Sequence, residues 1–379
     1  MIIEKNKCCG CGACQNVCPK ECIEMKMDAE GFCYPAIDTQ KCVHCDLCKK
    51  VCPVEKKIDR SFPPLFFAGY NRKEDVLQDS SSGGIFWPIV ETFINDGAIV
   101  YGAVQKYKMH VCHERYDDLE NCKLFRKSKY LQSDIGYSYK QVKKDLDCGK
   151  TVLFSGTPCQ VAALYSFLKK DYENLFTIDV VCHGTPSRAV FDRYIEEQEK
   201  KYEKKIVSFC WRDKIQGWGP NRITMTFEDG TKYTSTSQEC PVQKGFLDNW
   251  YLRPSCYECK FAKLPRIADI SLADFWGYDM ELTKQNHNGG ISLIAVSSEK
   301  GQLMFDKIKN ELFFHPVTKE YACERARHLW THPSDNPKRK KFMDDFLNGK
   351  SFKSLNKKYI QPSIMDRIKR KIERILKKP

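Results

Sequence analysis

Long apolar runs are missing from this sequence, and none reaches the roughly 18 residues that a membrane span needs. Residues 1–9 also lack the apolar core of a secretory signal peptide. Low-complexity runs are absent too, and hydrophobic residues make up 42% of the chain, so most of it can bury a core. We therefore expect a protein that is soluble or at most surface-bound, with two or three domains in 379 residues.

Cysteine, by contrast, is abundant, with 21 residues in the chain. Disulfide scaffolds rich in cysteine are short, secreted chains, and this chain is long and shows no signal peptide. Reduced cysteines that bind metal in a cytoplasm are therefore the better interpretation, and we expect a cytoplasmic protein.

The formal net charge of +13 is concentrated at one end of the chain. Residues 338–379 contain 15 Lys and Arg against 4 Asp and Glu, which leaves a net charge of only +2 on the rest. The body is thus near neutral, and we predict no nucleic-acid partner. Isoleucines at helical spacing, Ile364, Ile368, Ile372 and Ile375, predict a basic helix in this tail. It would either contact an anionic membrane surface peripherally, or be a solvated helix that packs on the body or frays.

Two in-frame cysteine quartets near the N-terminus carry the clearest chemistry. Each reads C-x2-C-x2-C-x3-C-P, and the quartets are Cys8, Cys11, Cys14 and Cys18 before Pro19, and Cys42, Cys45, Cys48 and Cys52 before Pro53. In bacterial ferredoxins this pattern holds two 4Fe-4S clusters, each taking its fourth cysteine from the other repeat. The predicted ligand sets are Cys8, Cys11, Cys14 and Cys52, and Cys42, Cys45, Cys48 and Cys18. Zinc sites usually use pairs of cysteines instead. Cys9, Cys22 and Cys33 fall outside the frame and are interpreted as small buried residues.

Beyond a predicted linker at residues 60–64, the pattern alternates strands and helices, which predicts an α/β or mixed α+β fold. Predicted strands cover 66–70, 98–104, 151–155 and 175–181, and predicted helices cover 85–95 and 160–170. The segment from 151 to 181 is a β-α-β unit, so its two strands should be parallel with a right-handed crossover.

Four further cysteines are candidates for a third metal site. Cys159 and Cys182 each follow the carboxyl end of a predicted parallel strand, where ligands collect. Cys159 also begins a helix, which favours its thiolate. Cys256 and Cys259 form a C-x2-C pair. These residues either close a four-cysteine site, or the first two are core cysteines and the pair binds zinc or nothing.

A serine- and glycine-rich turn, residues 80–84, precedes a helix and offers amides and hydroxyls to a phosphate. The alternative is a simple helix cap, and from the residues alone the cap is the stronger interpretation. Four polar residues lie near predicted strand ends, namely His183, Arg212, Asp213 and Lys214. Each of them either contacts a substrate or has a structural role.

Eight motifs resemble the coenzyme F420 hydrogenase/dehydrogenase beta-subunit family, in its bacterial form with a fused N-terminal ferredoxin domain. They are SSSGG (80–84), SKYLQS (128–133), LFSGTPCQ (153–160), DVVCHG (179–184), WRDK (211–214), RPSCYEC (253–259), DFWG (274–277) and GGISL (289–293). The resemblance covers about residues 1–315.

The resemblance implies a non-covalent FAD beside a 4Fe-4S cluster in the body. It implies Cys159, Cys182, Cys256 and Cys259 as the ligands of that third cluster. It also makes Ser82, Gly83, Gly84, Lys129, Tyr130, Ser133 and Thr157 candidates for lining the flavin. Archaeal relatives use coenzyme F420 as the acceptor, but the family resemblance does not establish the substrate of this protein.

These inferences combine into one domain scheme. We expect a ferredoxin-type domain over residues 1–59, the two parts of the beta-subunit-like body over 65–150 and 151–335, and the basic helical tail over 338–379. The predicted function is a flavin- and iron–sulfur-dependent oxidoreductase that passes electrons between a ferredoxin or another redox protein and a small-molecule two-electron acceptor. The alternatives are an electron-carrier subunit of a larger redox complex without its own substrate site, and a zinc-stabilised binding module that carries a ferredoxin sensor. Catalytic residues are not predicted.

Overall fold

A computed structural model describes residues 2–56, 62–278 and 289–361. The isoleucines of the predicted tail helix, from Ile364 onward, lie outside the described residues, as do Arg60 and Ser61 of the predicted linker. Within the described part of the chain, no helix is both long enough and apolar enough to cross a bilayer.

The cysteine repeats fold around a two-stranded antiparallel hairpin. Its elements in chain order are α1 (Ala13–Val17), β1 (Ile23–Met27), β2 (Cys33–Ile37) and α2 (Leu47–Lys50). Strands β1 and β2 pair with Ile23 opposite Ile37. Gly12 precedes α1 at a φ of 73°, a conformation that glycine adopts without steric cost. Each repeat therefore contributes one strand and one short helix after its cysteine loop.

The body is built on a mixed sheet that has eight strands among the described residues. The strands are β3 (Leu65–Asn71), β4 (Ile99–Gln105), β5 (Val111–Tyr116), β6 (Val152–Gly156), β7 (Leu175–Val180), β11 (Ile270–Asp274), β12 (Ser292–Val296) and β13 (Leu312–Pro316). Their spatial order is β13-β3-β12-β11-β7-β6-β4-β5. The four central strands, β4, β6, β7 and β11, run parallel, and the pairs toward both edges are antiparallel. The predicted mixed α/β class is confirmed.

A smaller antiparallel sheet, β10-β9-β8, lies beside the large one. It consists of β8 (Ile206–Asp213), β9 (Arg222–Phe227) and β10 (Lys232–Thr236). The remaining α-helices are α3 (Glu74–Gln78), α4 (Phe86–Asn95), α5 (Leu119–Cys122), α6 (Ser138–Asp147), α7 (Pro158–Leu168), α8 (Arg188–Tyr202), α9 (Pro241–Leu247), α10 (Glu299–Ile308), α11 (Lys319–Arg325), α12 (Arg339–Leu347) and α13 (Phe352–Leu355). Helices α12 and α13 bury Phe342, Phe346 and Phe352 in the same core as α8 and β8.

The predicted β-α-β unit forms β6, α7 and β7, with β6 and β7 parallel. A capping box begins α7, because the Thr157 side chain accepts from the backbone of Gln160 while the Gln160 side chain accepts from the amide of Thr157. Pro158 occupies the first turn, where its missing amide hydrogen costs nothing. The chain therefore turns sharply at the end of β6 and carries Cys159 into the first turn of α7.

The ferredoxin unit packs on helices α6 and α7 of the body. Ala13 and Val51 are buried in the same core as Tyr139 and Val161. The Tyr139 hydroxyl donates to the carbonyl of Cys11 at 3.0 Å, and the Ser166 hydroxyl donates to that of Val51 at 2.6 Å. Apolar burial and hydrogen bonds to cysteine-loop carbonyls thus fix the ferredoxin unit against the central strands.

Candidate functional site

The first ferredoxin quartet surrounds a small cavity whose wall includes Cys8, Cys11, Cys14 and Cys52. Cys52 comes from the second repeat, so the structure brings together the residues that the sequence pattern assigns to one cluster. Gly10 and Gly12 also line the cavity. Burial raises the pKa of the Cys14 thiol to about 12, so a thiolate at this position requires a cationic centre beside it.

The second quartet lies closer to the surface. Cys18 packs with Cys42 and Cys48 in a small apolar cluster, and Cys45 is exposed. Cys22, which lies outside the frame, has its Sγ 3.3 Å from that of Cys18. As in the first ligand set, one cysteine therefore comes from the other repeat, since Cys18 of the first repeat packs with Cys42 and Cys48 of the second.

The body thiols line a second cavity. Cys159, Cys182, Cys256 and Cys259 all line it, as the C-terminal ends of β6 and β7 and the loop at 254–259 meet there. The amide of Thr185 donates to Cys256 Sγ at 3.4 Å, and Thr157 Oγ1 lies 3.2 Å from Cys159 Sγ. Amide and hydroxyl contacts of this kind accompany cluster-bound thiolates.

The pKa values of the body thiols are raised, whereas a helix N-terminus alone would lower that of Cys159. The pKa of Cys159 is raised well above its ordinary value by the neighbouring Cys9 and by burial. Burial raises the pKa of Cys182 in the same direction and that of Cys256 to about 12. A set of thiols with this burial binds as thiolates only around concentrated positive charge, which a cluster or a metal ion supplies.

No three His, Cys, Asp or Glu side chains in the residues that the structure describes are arranged to hold a metal ion. The four body thiols instead surround a space.

Cys9 is a fifth thiol at this place, and the sequence pattern did not single it out. It lines both the cavity of the first quartet and the cavity of the body thiols. Its side chain interacts with Cys11 on one side and with Cys159 on the other. Sequence spacing places Cys9 one residue out of frame, and only the packing of the two units brings it to Cys159.

Arg253 holds the loop that carries Cys8 and Cys9. It is fully buried and donates to the carbonyls of Cys8 and Cys33 at 2.7 Å each, and to Oε1 of Gln132 at 3.1 Å. Its guanidinium also lies 4.3 Å from the centre of the Tyr34 ring. Arg253 belongs to the motif at 253–259, but the contacts by which it joins the two units were not evident from the sequence.

A larger cavity, of about 350 Å³, lies beside the body thiols. Its wall combines apolar side chains of the central strands, such as Ile178, Val180 and Leu272, with polar residues of the loops at 80–84 and 126–133. Five residues line both this cavity and that of the body thiols, namely Thr157, Cys182, His183, Gly184 and Thr185. The two cavities are therefore neighbours with a shared wall.

The serine-rich turn is held in place from two sides. The Gly83 amide donates to Ser292 Oγ at 2.9 Å, and the Ser82 hydroxyl donates to the Ile291 carbonyl at 2.9 Å. Lys214 Nζ donates to the carbonyl of Ser82 at 2.5 Å. A Cβ on Gly83 would lie 2.5 Å from the carbonyl oxygen of Gly69, so only glycine fits against β3. The turn is thus rigid, and Lys214 acts there as a structural residue.

Arg212 supports the same turn. It forms an ion pair with Asp274 and donates to the Ser81 carbonyl at 3.1 Å. Its guanidinium lies 5.2 Å from the centre of the Trp276 ring, which stacks on Trp218. Asp274 lines the large cavity, whereas Arg212 and Lys214 stand behind its wall.

Cationic side chains face the polar end of the large cavity. Lys129 Nζ donates to the carbonyls of Leu124 and Arg126 at 2.7 and 2.6 Å, and burial lowers its pKa to about 7. Arg126 is mostly buried, and among the described residues its Nε has no hydrogen-bond partner. Arg126 pairs with Asp79 through Nη1 at 3.0 Å, so its free Nε is the donor in this wall that fits an anionic ligand such as a phosphate.

A buried hydrogen-bond network connects the cavity wall to the thiols. His113 Nε2 lies 2.9 Å from the Ser155 carbonyl, so this nitrogen carries the hydrogen and Nδ1 accepts from Ser133 Oγ at 2.9 Å. Gln160 Nε2 donates to Ser133 Oγ at 2.9 Å, and Gln160 Oε1 accepts from Thr157. Burial lowers the pKa of His113 to about 4, so it stays neutral.

Most of the predicted flavin-lining residues line the large cavity, but one of them does not. Six of them line the large cavity, namely Ser82, Gly84, Lys129, Tyr130, Ser133 and Thr157. Gly83 does not line it and packs against β3 and β12 instead. Arg126, Gln132 and Gln160 also line it and were missed by the sequence reasoning.

The fold and the cysteine sites define the class of the protein, an iron–sulfur electron-transfer protein. Comparison with known families makes this specific. Residues 149–320 match the family described as coenzyme F420 hydrogenase/dehydrogenase, C terminus of the beta subunit. Residues 7–56 match the 4Fe-4S dicluster domain. The chain thus combines a region similar to the C-terminal part of that beta-subunit family with an N-terminal dicluster domain, and the resemblance stated from its motifs is confirmed.

Among solved structures, a chain of the F420-reducing NiFe hydrogenase complex from Methanosarcina barkeri is similar to this protein. The similarity covers 76% of this chain and 93% of that chain, at 16% identity and a TM-score of 0.49. None of the curated proteins matches this chain.

Proposed function

We propose that this protein is a flavin-dependent iron–sulfur oxidoreductase with three 4Fe-4S clusters and one FAD. Electrons would pass between a ferredoxin-like partner, the clusters, the flavin and a soluble two-electron acceptor. The observation that carries the proposal is the shared wall of Thr157 and the segment 182–185, which separates the body thiols from the large cavity.

The four body thiols would hold the third cluster. They are partly buried, they line one cavity, and two of them are in contact with Thr185 or Thr157. The large cavity would hold the flavin, with its apolar strand residues around the ring and Arg126, Lys129 and the serine-rich turn near the phosphates. When bound, these groups supply one-electron exchange at the clusters and two-electron exchange at the flavin.

The chain itself has three tasks in this scheme. Apolar residues such as Ile178 and Leu272 exclude water from the cavity. The network from His113 through Ser133 and Gln160 fixes Thr157 between the two cavities. The clamp at Arg253 keeps the ferredoxin unit against the body. All three act on position and solvent access, which is the contribution of a protein to cofactor chemistry.

The first test is the composition of protein purified without oxygen. We expect about 12 irons per chain, the load of three 4Fe-4S clusters, and extractable FAD. The double variant Cys256→Ala, Cys259→Ala should lose about four irons. The matched control is Cys148→Ala, because Cys148 is exposed and lies outside every quartet. Wild-type protein with about eight irons and no flavin would overturn the proposal, and loss of one zinc with unchanged iron would assign the third site to zinc.

The second test concerns the acceptor. Reduced protein is mixed with coenzyme F420 and with other soluble two-electron acceptors, and flavin reoxidation is followed by absorbance. Rapid reoxidation by one of them supports a substrate site in this chain. Flavin that is reoxidised only when a co-purifying subunit is present would instead identify an electron-carrier subunit of a larger complex.

A further inference from the structure

A fully buried ion pair lies beside the body thiols. It joins Arg266 to Asp179 of β7, with Nη2 of the arginine 3.1 Å from Oδ1 of the aspartate, and neither side chain has any solvent exposure. Arg266 lines the cavity of the body thiols, whereas Asp179 lines neither this cavity nor the large one. The positive end of the pair therefore faces the thiols, and the negative end lies in the central sheet.

The guanidinium of Arg266 is held by three further acceptors. Its Nη1 donates to the carbonyls of Phe261 and Leu329 at 3.3 Å each, and its Nε donates to Ser271 Oγ at 3.2 Å. These acceptors belong to the loop after the C-x2-C pair, to the segment at 327–329 and to β11. Contacts from three segments and from Asp179 thus fix the cation at the cavity wall.

The charge of Arg266 differs from the other positive charges at this wall. Lys7 and Lys260 also line the cavity, but both are exposed, so water and salt screen them. Arg266 acts through the protein interior, where screening is weaker. A guanidinium also keeps its proton when it is buried, so this charge is permanent.

We infer that the Arg266–Asp179 pair holds a permanent positive charge beside the body site and thereby raises the reduction potential of that site. This inference rests on the proposed function, since it assumes a cluster at the four body thiols. Four thiolates around a cluster leave the site with a net negative charge, and reduction adds a further electron. Positive charge at the wall therefore favours the reduced form.

The two charges of the pair act in opposite directions. Because Asp179 lies behind Arg266 as seen from the thiols, it offsets only part of the effect of the arginine. At roughly 10 Å and an effective dielectric constant of about 20, a full charge changes the ratio of reduced to oxidised sites about tenfold. For a one-electron couple this corresponds to about 59 mV.

A merely structural role of the pair predicts a different sign. Loosened packing at the wall would admit water, which stabilises the added electron and raises the potential of the site. Loss of the positive charge lowers the potential instead. The direction of the change therefore distinguishes an electrostatic role from a packing role.

The test uses two variants of the full chain. Asp179→Asn removes the negative charge alone. The double variant Asp179→Asn, Arg266→Met removes both charges and replaces a buried ion pair by neutral side chains of similar size, which folded proteins often tolerate. The control is Asp145→Asn, Arg115→Met, which makes the same substitutions in a pair at 2.9 Å that lines none of the three cavities.

Iron is counted in anaerobic protein, and reduction potentials are measured by redox titration monitored by electron paramagnetic resonance. The signal of the body site is the one that is missing from the Cys256→Ala, Cys259→Ala variant. The double variant is compared with the wild type directly. The sign is therefore measured even where Asp179→Asn, which leaves Arg266 without its carboxylate, loses stability.

We expect the double variant and the control to retain about 12 irons. Asp179→Asn should raise the potential of the body site. The double variant should lie below the wild type, and about tenfold below Asp179→Asn in the ratio of reduced to oxidised sites at a fixed potential. The control and both ferredoxin sites should keep the wild-type potentials. A body potential in the double variant that equals or exceeds that of the wild type would overturn the inference.

The outcome separates this inference from the proposed function. Wild-type protein with about eight irons would remove the body cluster, and the effect of the ion pair would fall with it. Wild-type protein with about 12 irons, and with an unchanged body potential in the double variant, would overturn only the role of the ion pair.

Discussion

The guanidinium of Arg253 in the body donates a hydrogen bond of 2.7 Å to the carbonyl oxygen of Cys8 in the ferredoxin unit. Arg253 is fully buried, and its other donors reach the carbonyl of Cys33 and the side chain of Gln132. One charged side chain therefore donates to the backbone of both the first cysteine loop and strand β2. The two units behave as one structure at this junction.

Replacement of this side chain should separate the units. Arg253→Ala leaves the carbonyls of Cys8 and Cys33 buried without their donor, so we expect the free energy of unfolding to fall by about 3 kcal/mol. Anaerobic urea denaturation measures the change. Arg327→Ala is the control, since Arg327 is exposed and should change stability by less than about 0.5 kcal/mol. Equal stability of the two variants would contradict the role of Arg253.

We expect the fourth ligand of the first cluster to come from the second repeat. Because Cys52 lines the same cavity as Cys8, Cys11 and Cys14, Cys52→Ser should lose about four irons. Cys33→Ser, in the same unit but away from this cavity, should keep the full iron content. Iron analysis together with the resonance spectrum of the reduced protein checks both. A full iron content in Cys52→Ser would contradict the assignment.

Flavin binding should depend on pH through Lys129. Its pKa of about 7 in the free protein means that the ammonium form, which attracts a phosphate, is lost as the pH rises above this value. The affinity for FAD should therefore be highest below pH 7 and fall by up to about tenfold per pH unit above it. Titration of flavin-free protein, followed by flavin fluorescence, measures the affinity.

Two lysine variants test whether this pH dependence comes from Lys129. Lys129→Met should bind FAD more weakly at pH 6 and lose most of the pH dependence. Lys123→Met, which removes an exposed lysine paired with Glu120, should behave as the wild type. An affinity that stays constant between pH 6 and 9 in the wild type would rule out an anionic contact at Lys129.

Stability should also depend on pH through His113. Burial lowers its pKa from 6.5 to about 4, so below pH 6.5 the unfolded chain binds a proton that the folded chain does not. The free energy of unfolding therefore decreases as the pH falls from 6.5 toward 4, by about 2 kcal/mol between pH 7 and pH 5 from this residue alone. Above pH 6.5 both states are neutral at His113 and its contribution is constant.

Comparison of variants measures the contribution of His113 to the pH dependence of stability. His113→Gln keeps a donor and an acceptor for Ser155 and Ser133, and it should lose about 2 kcal/mol less than the wild type between pH 7 and pH 5. His110→Gln is the control, because His110 is exposed. The same acid sensitivity in wild type and His113→Gln would show that His113 does not titrate in this range.

Much of the fold followed from local patterns in the sequence. The strand at Leu65–Asn71, the helix at Phe86–Asn95 and the parallel pair β6 and β7 all lie within two residues of their predicted limits. These elements have strong apolar periodicity, a clear cap at Thr157 or a turn, and neighbours close in the chain. The cysteine quartets were equally readable, because cluster ligation imposes a short and fixed spacing.

The sequence by itself determined the quartets, the mixed α/β class and the family resemblance, since each depends on residues that are near one another in the chain. Only the tertiary structure decided that Cys9 lines the cavity of the body thiols, that Arg253 reaches Cys8, and that Gly83 supports the turn rather than lining the cavity. Each of these contacts joins residues far apart in sequence, and buried charge and close backbone packing select them only once the ferredoxin unit lies against α6 and α7.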